Sequence, residues 1–268
     1  MRPNHTLAKL RQGEPAFGLW LQSHSFHTAR IIAAQGLLDW LLVDMEHTPV
    51  DLSTASTILA TIADVSGGRC TPLARVAANT MYHIKQALDA GAQGVIVPMI
   101  NTAAEAALAV RFALYPPLGE RGGGGLTPHY GFGTTSHVAY IQQANREVLV
   151  GLQIETAEAV ANIEAILDTP GLDMAFLGPF DLHLSLGLPP ALWSEAAEFT
   201  TAVAKVTAAC RQRGIPLGTI VPNGTAAAQR LADGFTFISL GTDIIHLLSS
   251  LNSQLEAIST ASNHNQHT

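Results

Sequence analysis

The amino-acid sequence predicts an α/β protein built as a single (β/α)8 TIM barrel. Three observations carry that expectation. Short runs of Val, Ile, Leu and Phe alternate with longer segments of helical periodicity, the pattern of βαβ units around a parallel sheet. Eight such units can be counted along the chain. Several of the helical segments stop on glycine, at Gly36, Gly91, Gly214 and Gly234, where a left-handed residue commonly ends a helix.

In chain order, the strand Ala16–Leu21 leads to a helix over His27–Ala34, and the apolar run Trp40–Asp44 leads to one over Leu52–Ala63. Strands follow at Pro72–Val76 and Gly94–Met99, with helices Met81–Ala90 and Ala103–Leu114. The fifth and sixth strands are Val148–Glu155 and Met174–Gly178, with helices Ala157–Leu167 and Glu195–Arg213. Strands Pro216–Val221 and Phe235–Gly241, with helices Thr225–Ala232 and Asp243–Ile258, complete the set. Eight strand–helix pairs in about 250 residues match a closed barrel better than a doubly wound sheet. The barrel domain is therefore expected over residues 1–258, with a polar, disordered tail over 259–268.

Two stretches break the rhythm. Tyr115–His137 contains Pro116-Pro117 and the glycine run Gly122–Gly125, and Gly187–Trp193 contains Pro189-Pro190. Loops of this length inside a compact domain are commonly functional or mobile, and the glycine run lacks the Lys-Ser/Thr ending of a phosphate loop. A lid is expected there.

Composition narrows the function classes. Hydrophobic residues are 47% of the chain and charged ones 13%, with net charge −7 and no Lys/Arg stripe, so nucleic acid is not an expected partner. No run of about 18 apolar residues is present, so no membrane partner is expected either. Met1–His5 does not open a secretion signal, and Cys70 and Cys210 have no companion at metal or redox spacing. A soluble, cytoplasmic protein with two reduced thiols is expected.

In such a barrel, reactive groups sit at the C-terminal ends of the strands. Strand two ends in Asp44-Met45-Glu46-His47, strand three contains Arg75, strand five ends in Gln153-Ile154-Glu155, and strand six runs into Gly178-Pro179-Phe180-Asp181. Glu155 and Asp181 are two carboxylates from neighbouring strands, a donor set that suits Mg²⁺ or Mn²⁺ with water completing the shell. Carboxylates at βα junctions also cap helices, and position alone leaves both roles open. Arg75 lies inside an apolar strand, where a guanidinium needs an anionic ligand or a structural pair with Asp44 or Glu46. His47 is the histidine at a strand end and the candidate for proton transfer, although a structural histidine is the more common case. No Gly-x-Ser-x-Gly elbow appears, and Lys9, Lys85 and Lys205 all lie off the strands, so neither acyl transfer nor a Schiff base has a nucleophile.

These residues resemble the HpcH/HpaI aldolases, the pyruvate-using class II family of the 2,4-dihydroxyhept-2-ene-1,7-dioate aldolase type. The resemblance spans nearly the whole barrel. It rests on Gly18-Leu19-Trp20, Leu42-Val43-Asp44-Met45-Glu46-His47, Arg75, Val97-Pro98-Met99, Tyr115 to Gly122, Gln153-Ile154-Glu155-Thr156 and Phe176 to Leu182. It implies a divalent metal (Mg²⁺, Mn²⁺ or Co²⁺) on Glu155 and Asp181, and Arg75 on the keto oxygen of pyruvate. His47 is implied in acid–base steps, with Asp44 and Asp89 near it, and Trp20, Gln153, Gly178, Pro179, Phe180 and Asp181 in substrate binding.

The implied reaction is reversible retro-aldol cleavage of a 4-hydroxy-2-oxo acid to pyruvate, or another 2-oxo acid, and an aldehyde. The implied assembly is a homo-oligomer, a hexamer that exchanges its last helix. One segment departs from the family pattern: Gly123 to Phe132, where an Ala- and Arg-rich stretch is usual, so the aldehyde is left open. Oxaloacetate decarboxylation, macrophomate-synthase-like bond formation and a non-catalytic acid-binding barrel are the competing readings.

Overall fold

A computed structural model describes residues 1–124 and 136–264, with side chains to Ile258. The expected lid beyond Gly124, and with it the divergent stretch as far as Phe132, lies outside the described residues.

Eight parallel strands close into a barrel: β1 (Ala16–Leu21), β2 (Trp40–Asp44), β3 (Thr71–Arg75), β4 (Gly94–Val97), β5 (Leu149–Ile154), β6 (Met174–Leu177), β7 (Leu217–Ile220) and β8 (Phe237–Thr242). Each strand pairs with the next, and β8 pairs with β1 to close the ring. The predicted fold class is the observed one. The four glycines named as helix stops all have φ between +64° and +117°, in or near the left-handed region.

Before β1, helix α1 (His5–Arg11) was not anticipated, because its sequence carries only two strongly apolar side chains. Those two, Leu7 and Leu10, are buried against Ala16, Trp40, Leu149 and Phe237 and plug the N-terminal end of the barrel. Asn4 caps the helix by accepting from Leu7 N–H, and its amide donates to the carbonyls of Gln93 and Glu147 at the starts of β4 and β5. The barrel interior above the plug is aromatic. Trp40 stacks on Phe237 at 4.1 Å between centroids, and Gly18 makes room, since a Cβ there would lie 2.0 Å from the Trp40 ring.

Around the sheet run α2 (Phe26–Ala34), α3 (Leu52–Val65), α4 (Met81–Asp89), α5 (Ala103–Ala113), α6 (His137–Glu147), α7 (Ala157–Ala161) and α8 (Ile163–Leu167). They are followed by α9 (Pro179–Ser185), α10 (Ala197–Arg213), α11 (Gly224–Ala232) and α12 (Asp243–His264). Three departures from the sequence reading have physical causes. The single helix expected over Ala157–Leu167 breaks at Asn162, whose side-chain amide donates to the Asn101 carbonyl at 2.9 Å. The polar segment after Ser136 forms α6 because Tyr140 and Ala144 pack against Tyr115. The last helix runs on to His264 and so takes in much of the expected tail, while 265–268 lie outside the described residues. No helix among the described residues is long and apolar enough to cross a membrane.

Strand alternation positions the site. Trp40 and Leu42 of β2, Leu73 of β3 and Leu149 of β5 belong to the interior cluster, so the same period of two brings Asp44, Arg75 and Gln153 inward one layer higher. Glu155, one residue past β5, continues that parity at the C-terminal mouth.

Candidate active site

The first half of the mouth is an arginine held by a carboxylate and an aromatic ring. Asp44 and Arg75 are register partners on β2 and β3, and Asp44 accepts from Arg75 Nε at 3.0 Å and Nη2 at 2.7 Å. Gln22 donates to the same carboxylate at 3.1 Å. The Trp20 ring lies 4.2 Å from the guanidinium carbon. Burial pushes the Asp44 carboxyl up, but the hydrogen bonds and charge of Arg75 outweigh it and hold the group below its ordinary value. The structural pair considered from the sequence is thus formed. It leaves Arg75 Nη1 directed elsewhere, 3.2 Å from Glu46 Oε2 but without hydrogen-bond alignment.

The second half is carboxylate-rich. Glu155 is 2% exposed, accepts from the Met99 backbone N–H at 2.8 Å and accepts a hydrogen bond from the Gln153 amide. Met99 holds φ at +56°, a left-handed conformation uncommon for a side chain of its kind, which aims its N–H at the carboxylate. Opposite, a Cβ on Gly178 would lie 2.7 Å from Glu155 Oε2 and 2.8 Å from Glu155 Cβ, so only glycine lets the end of β6 pass this close.

Asp181 sits in the first turn of α9, half-buried. Burial first, then the charges of Asp181 and Glu46, raise the Glu155 carboxyl to about 7. Glu46 is raised too, by burial, Asp44 and Asp181 against the opposing pull of Arg75. Three carboxylates therefore share one mouth with a single neighbouring guanidinium already engaged by Asp44.

This donor set fits a hard divalent cation. Among the described residues no group of three or more His, Cys, Asp or Glu side chains could hold a metal by itself. The pair Glu155 and Asp181 would supply two oxygens and leave the other positions to water and substrate, as Mg²⁺ and Mn²⁺ accept. A cation between them would relieve the like-charge repulsion that the fold builds in.

The remaining predicted residues divide. His47 is exposed at the rim, its Nε2 3.7 Å from Glu46 Oε2 and its backbone N–H 3.3 Å from Asp44 Oδ1. Trp20 Nε1 and Gln153 Oε1 are buried polar atoms with no hydrogen-bond partner in the described structure, as groups waiting for a ligand would be. Asp89 does not join this cluster within one chain. It is the last residue of α4, which runs away from the mouth, and it accepts from Arg121 Nη2 at 2.9 Å near the opposite end of the barrel. Sequence reasoning treated Glu46 only as a partner for Arg75, and missed Gln22 and Met99. Glu46 could have been found from its place between Asp44 and His47, whereas the Met99 backbone conformation leaves no signal in a methionine.

A closed (β/α)8 barrel whose mouth joins an immobilised arginine to a cluster of inward carboxylates defines a class of barrel enzyme that handles charged oxygen-rich substrates. The chain belongs to the HpcH/HpaI aldolase/citrate lyase family, whose pattern it matches over residues 16–250. It is similar to the hydroxypyruvate/pyruvate aldolase of Paraburkholderia phytofirmans, with 36% identity over 259 residues, covering 95% of this chain and 97% of that one. It is 37% identical to the 4-hydroxy-2-oxo-heptane-1,7-dioate aldolase of Shigella sonnei, covering 90% of this chain and 89% of the relative. The crystal structure of an HpcH/HpaI aldolase/citrate lyase family protein from Burkholderia cenocepacia J2315 superimposes with a TM-score of 0.89 at 36% identity, covering 96% and 99% of the two chains.

Proposed function

We propose that this chain is a carbon–carbon lyase that cleaves a 4-hydroxy-2-oxo acid reversibly to pyruvate, or a related 2-oxo acid, and an aldehyde, with a divalent metal. The convergence of Glu155 and Asp181 on the mouth that also holds Arg75 carries the reading. The aldolase names of the relatives support the same class.

Glu155 and Asp181 would hold the cation, which when bound supplies electrophilic stabilisation of charge developing on the 2-oxo oxygen. Arg75 adds a second positive charge whose direction is fixed in advance by Asp44 and Trp20. Gln153 orients Glu155, and the unpartnered Gln153 Oε1 and Trp20 Nε1 offer a polar floor to the substrate. Gly178, Pro179, Phe180 and Asp181 form the turn that receives the carboxylate. His47, at the solvent rim beside Glu46, moves the proton to or from the 4-hydroxyl through water.

We further propose a homo-oligomer, a hexamer by the family resemblance. The apolar face of α12 supports it, since Leu247 is 62% exposed and Leu251 53% in the single chain. Two buried free thiols fit a reducing, cytoplasmic setting.

The test is pyruvate release from a panel of 4-hydroxy-2-oxo acids after chelation and again with Mg²⁺, Mn²⁺ or Co²⁺ restored. Release that returns with metal is the expected result; no release from any of them with any metal would overturn the proposal.

A further inference from the structure

The Gly187–Trp193 excursion that interrupts the sequence pattern is tied back to the mouth by one buried ring. His183, on the second turn of α9, is 1% exposed and stacks on Phe199 at 3.9 Å between centroids. Its Nδ1 lies 2.7 Å from the Pro179 carbonyl, which can only accept, so Nδ1 carries a hydrogen and donates. In the neutral ring Nε2 is then the acceptor, and Ser194 Oγ, 2.8 Å away, donates to it. Ser194 Oγ in turn accepts from the Ala196 N–H at 3.3 Å, just before α10. Next to it, Trp193 donates its indole N–H to the Ile220 carbonyl at the end of β7 and packs edge-on against Phe199 and Phe235.

The ring is therefore a strut. One end grips the turn that carries Asp181, and the other is anchored in the wall formed by β7 and α10. Asp181 has no side-chain hydrogen bond of its own among the described residues, so the backbone of α9 decides where its carboxylate points. Both ring nitrogens are engaged within the protein, which leaves the imidazole no free atom for a substrate.

We infer that His183 is a positioning residue: through the Pro179 carbonyl and Ser194 it fixes Asp181 relative to Glu155 and so sets the affinity of the pair for a divalent cation. This rests on the aldolase reading only in assigning the cation to Glu155 and Asp181. Groups behind metal ligands commonly change metal affinity by about 10- to 100-fold when removed.

The experiment measures the Mn²⁺ dissociation constant of the full chain by the EPR signal of free Mn²⁺, alongside Tm and the kinetics of pyruvate release. His183→Phe keeps the stack on Phe199 and removes both hydrogen bonds, His183→Asn keeps a donor near the Nδ1 position, and Ser194→Ala releases only the far anchor. His183→Phe is expected to weaken Mn²⁺ binding about tenfold or more, and Ser194→Ala about fivefold. His183→Asn, which keeps the donor to Pro179 but not the Ser194 anchor, should fall to about the Ser194→Ala level, and kcat at saturating Mn²⁺ should stay close to the parent value in all three.

A His183→Phe protein with a lower Tm but parental Mn²⁺ affinity would overturn the inference. So would an unfolded His183→Phe together with a Ser194→Ala protein of unchanged affinity. If the parent protein takes up no Mn²⁺, the assignment of Glu155 and Asp181 fails first, and the inference falls with it.

Discussion

The two ends of this barrel are built from the same strands and obey opposite rules. At the N-terminal end, Leu7 and Leu10 of α1 close over Trp40 and Phe237, and Asn4 satisfies the carbonyls at two strand starts. At the C-terminal mouth, one layer higher on the same strands, Asp44, Arg75, Gln153 and Glu155 replace the apolar side chains. Carboxylates face one another there, and Met99 holds a strained backbone. The lower end is organised for stability. The upper end gives up stability to gather charged groups at one mouth.

That contrast can be broken from either side. Glu155→Gln should lower pyruvate release by about a thousandfold or more, because the proposed cation would supply several kcal/mol of charge stabilisation. Its Tm should move by less than about 4 °C, since the change removes a buried charge among like charges. Kinetics and thermal denaturation of one preparation check both halves. Trp40→Ala should do the reverse, costing about 3–5 kcal/mol through the cavity beneath the mouth while leaving release per folded molecule near the parent value.

Asp44→Asn probes the boundary between the two ends. Removing one member of a buried pair leaves the Arg75 charge uncompensated and should cost about 3 kcal/mol at neutral pH. The sign of its pH dependence follows from the depressed Asp44 carboxyl. Its stabilising contribution is present above the ordinary carboxyl value of 3.8 and is lost as pH falls through the lower folded-state value. Denaturation midpoints measured from about pH 5 to pH 3 should therefore fall more steeply for the parent than for Asp44→Asn.

The smallest effect concerns the thiols. Burial pushes Cys70 and Cys210 up to about 12, so neither should react with a thiol reagent at neutral pH until the chain is unfolded.

Much of this was legible in the sequence because strands and helices announce themselves by period. The eight strands, the glycine stops and the placing of Asp44, Gln153 and Glu155 at strand ends and of Arg75 inside a strand all follow from the strand–helix pattern that a single chain displays. What escaped depends on three-dimensional context. Helix α1 has too few apolar residues to read as a helix, and becomes one because the open end of the barrel receives Leu7 and Leu10. The break at Asn162 needs the Asn101 carbonyl, which is distant in sequence. Asp89 resembles a site acid by motif, yet helix direction carries it to the far end, where Arg121 takes it. The left-handed Met99 goes with the hydrogen bond its N–H gives to Glu155, a contact distant in sequence.

The central claim is that Glu155 and Asp181 make the mouth a cation site. Equilibrium Mn²⁺ binding to the parent chain and to Asp181→Asn tests it most directly, without any choice of substrate. The account predicts one site per chain in the parent and its loss in Asp181→Asn with the fold intact. Equal binding by the two proteins would contradict it.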